Sequence, residues 1–200
     1  MAINTNYHTH TLFCDGKAEP EAFVRAALER NFSVLGFSAH APAPQQESWT
    51  MSPERVTEYL DIITSLKKKY SGQIEIYSGM EVDYIPGVLG PGSQEIVTLG
   101  LDYTIGGVHI IGIEKNGKLL TVDGGPEEYE EILSLQFGGD RRALAGHFFF
   151  LVEALAREHR PDIIAHFDLV KVRNRGQEHY REDEKWYRKS VTNALDAIAS

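Results

Sequence analysis

Five short apolar, β-branched runs, set apart by amphipathic stretches, constrain the fold of this chain more than any other feature. They fall at 2–7, 33–38, 74–80, 103–108 and 162–165. Parallel strands need a crossover long enough to hold a helix, so runs spaced in this way build βα units and a mostly parallel sheet. The intervening periodicity supports that reading. A helix over 20–30 places Phe23, Val24, Ala27 and Leu28 on one face. Ser52 and Pro53 supply an N-cap and a first-turn proline for a second helix carrying Val56, Tyr59, Leu60, Ile63 and Leu66. Helices are also expected over 126–135, over 141–158 with Leu144, Leu151, Val152 and Leu155 inward, and from about Arg181 to the end. The Pro/Gly-rich stretch 86–92 reads as a surface loop, and Lys115-Asn-Gly-Lys118 as a hairpin turn between 111–113 and 119–122.

Two hundred residues without a repeat, linker or low-complexity tract suit one domain. A net charge of -9 repels a phosphate backbone and argues against nucleic acid as a partner. The longest apolar run, 148–152, is far short of the ~20 residues of a membrane span. The first residues lack the basic and apolar regions of a signal peptide, and the single cysteine, Cys14, excludes an internal disulfide or a thiolate cluster. A cytoplasmic protein without membrane contact is therefore expected. Any metal among its eight histidines is held by nitrogen and oxygen.

Each run ends in a group able to bind metal: His8 and His10, then His40, Glu81, His109 and His166. In α/β sheets and barrels, binding groups converge at the C-terminal ends of the strands. Extended backbone sends residues i and i+2 to one side, so His8 and His10 can reach one ion. Asp15 follows closely enough to place a carboxylate over the same pocket. The remaining histidines read differently: His147 lies on the apolar stripe of a helix as a packing residue, and His159 and His179 fall outside strand ends as surface groups. Cys14 reads as a small filler beside the pocket. The glycines of 87–92 lack the strand and helix of a nucleotide-binding loop, and 36–40 lacks the last glycine of a nucleophile elbow.

The segments His8-Thr-His10 with Asp15, Ser38-Ala-His40, Gly79-Met-Glu81-Val-Asp-Tyr, Gly107-Val-His109 and Ala165-His166-Phe-Asp-Leu-Val-Lys resemble the successive motifs of the PHP (polymerase and histidinol phosphatase) superfamily, in its histidinol-phosphate phosphatase branch. The resemblance runs over nearly the whole chain. It implies a distorted seven-stranded TIM-like β/α barrel, of which these residues cover the first five or so βα units of a single domain, 1–200, incomplete at its C-terminus. It also implies two or three divalent ions, zinc, manganese or iron. His8, His10 and Glu81 would hold the first, Glu81 would bridge to a second bound by His109 and His166, and Asp15 and His40 would serve a third ion or the leaving group as the catalytic pair. The Asp-x-His motif that completes such clusters is absent after His166.

The implied activity is hydrolysis of histidinol phosphate, a small phosphorylated substrate, in histidine biosynthesis. A water shared by two cations loses its proton near neutral pH and attacks phosphorus in line. No motif identifies the arginine that would grip the phosphate; Arg160 and Arg173 flank the fifth run, and Arg160 is the candidate. Three further readings stay open: a PHP phosphoesterase with another substrate, an amidohydrolase-like metal hydrolase sharing the H-x-H strand, and a non-catalytic PHP module.

Overall fold

The alternation of apolar runs and amphipathic stretches becomes alternating strands and helices. The computed structural model describes residues 4–113 and 117–200. In chain order the elements are β1 (Thr5–Asn6), α1 (Pro20–Glu29), β2 (Val34–His40), α2 (Val56–Lys69), β3 (Glu75–Asp83), α3 (Gln94–Val97), β4 (Tyr103–Gly107), β5 (Ile110–Ile113), β6 (Leu119–Thr121), α4 (Pro126–Phe137), α5 (Arg141–His159), β7 (Ile163–Ile164) and α6 (Lys185–Ile198). They group into two compact units, one formed by residues up to 82 with 94–105, the other by 83–93 with 106–200.

In the first unit the strand order is β1-β2-β3-β4, with β1 parallel to β2 and β2 parallel to β3 over seven residue pairs, Val34↔Glu75 to His40↔Glu81. All of β2 is buried, as expected of a parallel strand covered on both faces. Two glycines make room for one ring: a Cβ on Gly36 or Gly79 would lie 2.4 or 2.6 Å from Tyr103. The Tyr103 hydroxyl donates to the carbonyls of Tyr7 and Phe37, tying β4 to the chain after β1 and to β2. Beside this tie Asp102 accepts from the Ser78 amide and hydroxyl and from Lys67, pinning α2 to the sheet.

In the second unit the last two residues of β4 accept backbone hydrogen bonds, Gly106 from the Ala165 amide after β7 and Gly107 from the Tyr84 amide. The core is built on α5, whose Leu144, Phe148, Leu151, Val152 and Leu155 pack with Ile132 and Leu133 of α4 and Tyr187 and Ala194 of α6. β5 and β6 pair antiparallel as the expected hairpin; Lys115 and Asn116 of its turn lie outside the described residues.

Several boundaries differ from the sequence reading. The first strand is two residues long, and Ala2 and Ile3 lie outside the described residues. Ser52 makes no side-chain cap; a 3₁₀ turn, Pro53–Arg55, intervenes before α2. β3 runs to Asp83, α3 was not expected, and the last helix begins at Lys185, after a turn at Glu182 and Asp183. Among the described residues no helix is long and apolar enough to cross a membrane.

Candidate metal centre

In the first unit the segment after β1 is held open and extended. The Thr9 amide donates to the Ser38 hydroxyl (2.9 Å), and the Ser38 amide donates to the Thr9 carbonyl (3.0 Å). Thr9 is thereby buried against β2, and the imidazoles of His8 and His10 on either side of it meet one carboxylate. His8 Nε2 lies 2.8 Å and His10 Nε2 3.1 Å from the same oxygen, Glu81 Oε2. His40, the last residue of β2, brings Nδ1 to 3.6 Å of that atom. The register His40↔Glu81 and the bond from the Ala41 amide to the Glu81 carbonyl (2.8 Å) set this meeting point.

Asp15 returns to the cluster through a tight turn in which Thr11 O accepts from the Cys14 and Gly16 amides. A Cβ on Gly16 would sit 2.3 Å from the His10 carbonyl carbon, so only glycine closes the turn. The closure puts Asp15 Oδ1 3.1 Å and Cys14 Sγ 3.5 Å from His10 Nδ1. Cys14 is thus a hydrogen-bonding neighbour of His10 rather than a mere filler. Burial disfavours the charged form of His10, but its bonds to Cys14 and Glu81 outweigh this and push its pKa up to about 10. The pocket stabilises positive charge at this point.

The donor set fits a divalent cation. Glu81 is 1% exposed and has imidazole nitrogens on its one oxygen at 2.8, 3.1 and 3.6 Å. Donors around a tetrahedral ion with ~2.1 Å bonds are roughly 3.4 Å apart, the same scale. One ligand atom from each of His8, His10 and Glu81 lies within 4.8 Å of the others, and the same holds for His10, Asp15 and His40.

The second unit carries its own cluster. His109 follows β4, and both its amide (3.1 Å) and its Nδ1 (2.9 Å) meet Asp83 Oδ1. This double contact with the Asp83 carboxylate fixes the orientation of the His109 ring. His166, after β7, places its ring centroid 4.4 Å from that of His109. The 3₁₀ turn beyond it is tied back by the bond from the Leu169 amide to the His166 carbonyl, 2.8 Å.

All the candidate ligands read from the sequence thus occur in clusters: His8, His10, Asp15, His40 and Glu81 in the first unit, and His109 and His166 in the second. Asp83, which is 4% exposed, is the functional group that sequence reasoning missed. Its signal was present, because on a strand it shares a face with Glu81 two residues earlier. Arg160 lies elsewhere. It caps α5 in a left-handed conformation (φ 44°) before β7, at the opposite end of that strand from His166, and lines a cavity of about 450 Å³ with Arg157, Pro161 and Asp162. Arg173 donates to the Asp123 carbonyl and faces the Tyr129 ring.

The expected surface role of His159 is corrected: its ring is half-buried against Tyr84, its Nδ1 accepts from the Gly92 amide, and it fills the space a Gly90 side chain would need. His147 packs between Phe137 and Phe150 as expected, and His179 is exposed.

The fold and the clusters define an α/β protein that gathers imidazoles around buried carboxylates at the ends of its strands. The family model of the PHP domain matches residues 6–198, and the chain belongs to that family. A Deinococcus radiodurans protein named "Probable histidinol-phosphatase" is 30% identical over 167 residues, 82% of this chain and 60% of that protein. The histidinol-phosphatase of Bacillus subtilis is 29% identical over 138 residues, 64% of this chain and 51% of the enzyme. The chain therefore spans between half and three-fifths of the length of these relatives. Among solved structures, hisK of Listeria monocytogenes matches with a TM-score of 0.80 at 22% identity, covering 98% of this chain and 79% of that one. The histidinol phosphate phosphatase of Lactococcus lactis, solved with zinc, L-histidinol and phosphate, matches with a TM-score of 0.70 at 18% identity, covering 98% and 69%. These likenesses bear out the α/β fold expected of the family.

Proposed function

We propose that the chain is the metal-binding part of a histidinol-phosphate phosphatase, releasing histidinol and phosphate. The observation that carries this is the convergence of His8, His10 and His40 on one oxygen of buried Glu81. Membership of the PHP family and the names of the relatives supply the substrate class. His8, His10 and Glu81 would hold one ion, zinc, manganese or iron. His109 and His166, with Asp83 fixing the His109 ring, form a second ligand set, and Asp15 and His40 a third with His10.

Bound ions supply positive charge for the phosphoryl oxygens and activate the attacking water. The chain's own groups do the rest. Buried Glu81 offsets cationic charge, and the Thr9–Ser38 bonds keep His8 and His10 aimed at it. As the water oxygen bonds to phosphorus and the ester P–O bond breaks, the leaving alkoxide needs a proton, which His40 or Asp15 delivers. Phosphate release from histidinol phosphate, measured with and without chelator beside a simple alkyl phosphate and an amide, tests the reading. Chelator-sensitive release from histidinol phosphate is expected. Turnover of the amide alone, or metal binding with no ester hydrolysis, would replace it with the amidohydrolase-like or the non-catalytic reading.

A further inference from the structure

The loop after β2, residues 41–52, carries one large aromatic side chain onto the first-unit cluster. The Trp49 indole lies edge-on to His40, with centroids 4.9 Å apart and planes at 79°. His40 is 4.5 Å from His10 and His10 is 5.0 Å from His8, so four rings form a continuous row. Three are imidazoles with ligand nitrogens; the fourth offers a π face and only an N–H donor.

The loop is built to hold this ring in place. It is pinned at its ends by the bonds from the Ala41 amide to Glu81 O (2.8 Å) and from the Met51 amide to His40 O (3.2 Å). Within it the Gln46 amide group donates to Glu47 O and Thr50 O, and the Glu47 amide to Thr50 Oγ1. Thr50 and Met51 are buried beside Trp49, which is half-buried. An aromatic side chain anchored on both sides loses little entropy when a ligand packs against it.

We propose that Trp49 is the specificity-determining wall of the site, against which the organic part of the phosphate ester packs while its phosphate faces the ligand residues. This rests on the function proposed above. In histidinol phosphate the ester oxygen is followed by a three-carbon chain bearing an ammonium group and an imidazole ring. An indole attracts both, the ring by aromatic packing and the cation through its π face.

The test uses the whole chain with Trp186→Phe, which leaves Trp49 as the only indole of two. Titration with L-histidinol is expected to give a saturable change in its emission, and 2-amino-1-propanol, which lacks the ring, to bind about tenfold more weakly. In parallel, Trp49→Ala should lower the ratio of kcat/KM for histidinol phosphate to that for 2-aminopropyl phosphate by about tenfold, with Trp49→Phe restoring most of it. Metal content should stay constant. An unperturbed indole, an unchanged substrate ratio, or loss of metal in both variants would overturn the assignment, the last by showing that Trp49 only positions His40. A parent chain that does not cleave histidinol phosphate refutes the function reading instead, and the titration still decides the role of Trp49.

Discussion

Glu81→Gln isolates the carboxylate charge with almost no change in volume. In the parent chain one Glu81 oxygen is within 2.8 to 3.6 Å of three imidazole nitrogens, and the residue is 1% exposed, so no water can readily substitute for it. Structural zinc sites with four ligands bind with roughly 10–16 kcal/mol, or about 2.5–4 kcal/mol per ligand. Replacing the anionic ligand by a neutral amide should therefore weaken zinc binding by between about 100-fold and 1000-fold. The assay is competition with a chromophoric chelator at fixed pH, with elemental analysis of the dialysed protein, and phosphatase activity should fall with occupancy. His147→Ala serves as the control, since His147 packs between phenylalanines and should leave metal content intact. A Glu81→Gln affinity within threefold of the parent, or equal metal loss in the two variants, would refute the reasoning.

Asp83→Asn keeps an acceptor for the His109 ring but removes its charge, and should lower metal affinity at that ligand set by about 10–100-fold; unchanged stoichiometry in elemental analysis at limiting metal would count against it. Burial holds the His147 pKa below the ordinary 6.5. The unfolded chain therefore takes up this proton first, and stability falls as pH drops below about 6.5. His147→Phe should flatten that fall in denaturant titrations below about pH 6.5, and parallel curves for the two proteins would exclude the effect. Gly79→Ala drives a methyl to 2.6 Å from Tyr103 and should cost about 1–3 kcal/mol, read as a lower Tm; an unchanged Tm would show that the ring can move aside.

The strand ends were legible because their chemistry is local: an apolar run followed at once by His8, His40, His109 or His166 needs no knowledge of distant partners. The α/β order was legible for the same reason, from periodicity alone. What could not be read depends on distant contacts. Asp83 lies beyond the apolar run that ends near Met80, and only the folded chain shows that the strand runs on to it. His159 looks like a surface residue until Tyr84 and the glycines of the 90–92 loop close around it. Ser52 fits the pattern of a helix cap, but Pro53 opens a 3₁₀ turn there instead and the α-helix starts three residues later.

The hydroxyl of Tyr103 reaches the carbonyl of Tyr7 across 96 residues of sequence, and this spacing sets an order of events during synthesis. A ribosome adding about 5–20 residues per second delivers His8 and His10 several seconds before Glu81, and the Tyr103 cross-tie later still. Ser38, which braces Thr9 between the two imidazoles, also precedes Glu81 in the chain. A nascent chain arrested between His40 and Glu81 would present three histidines without the buried carboxylate they share, a weaker and less selective claim on cellular metal than the finished cluster makes.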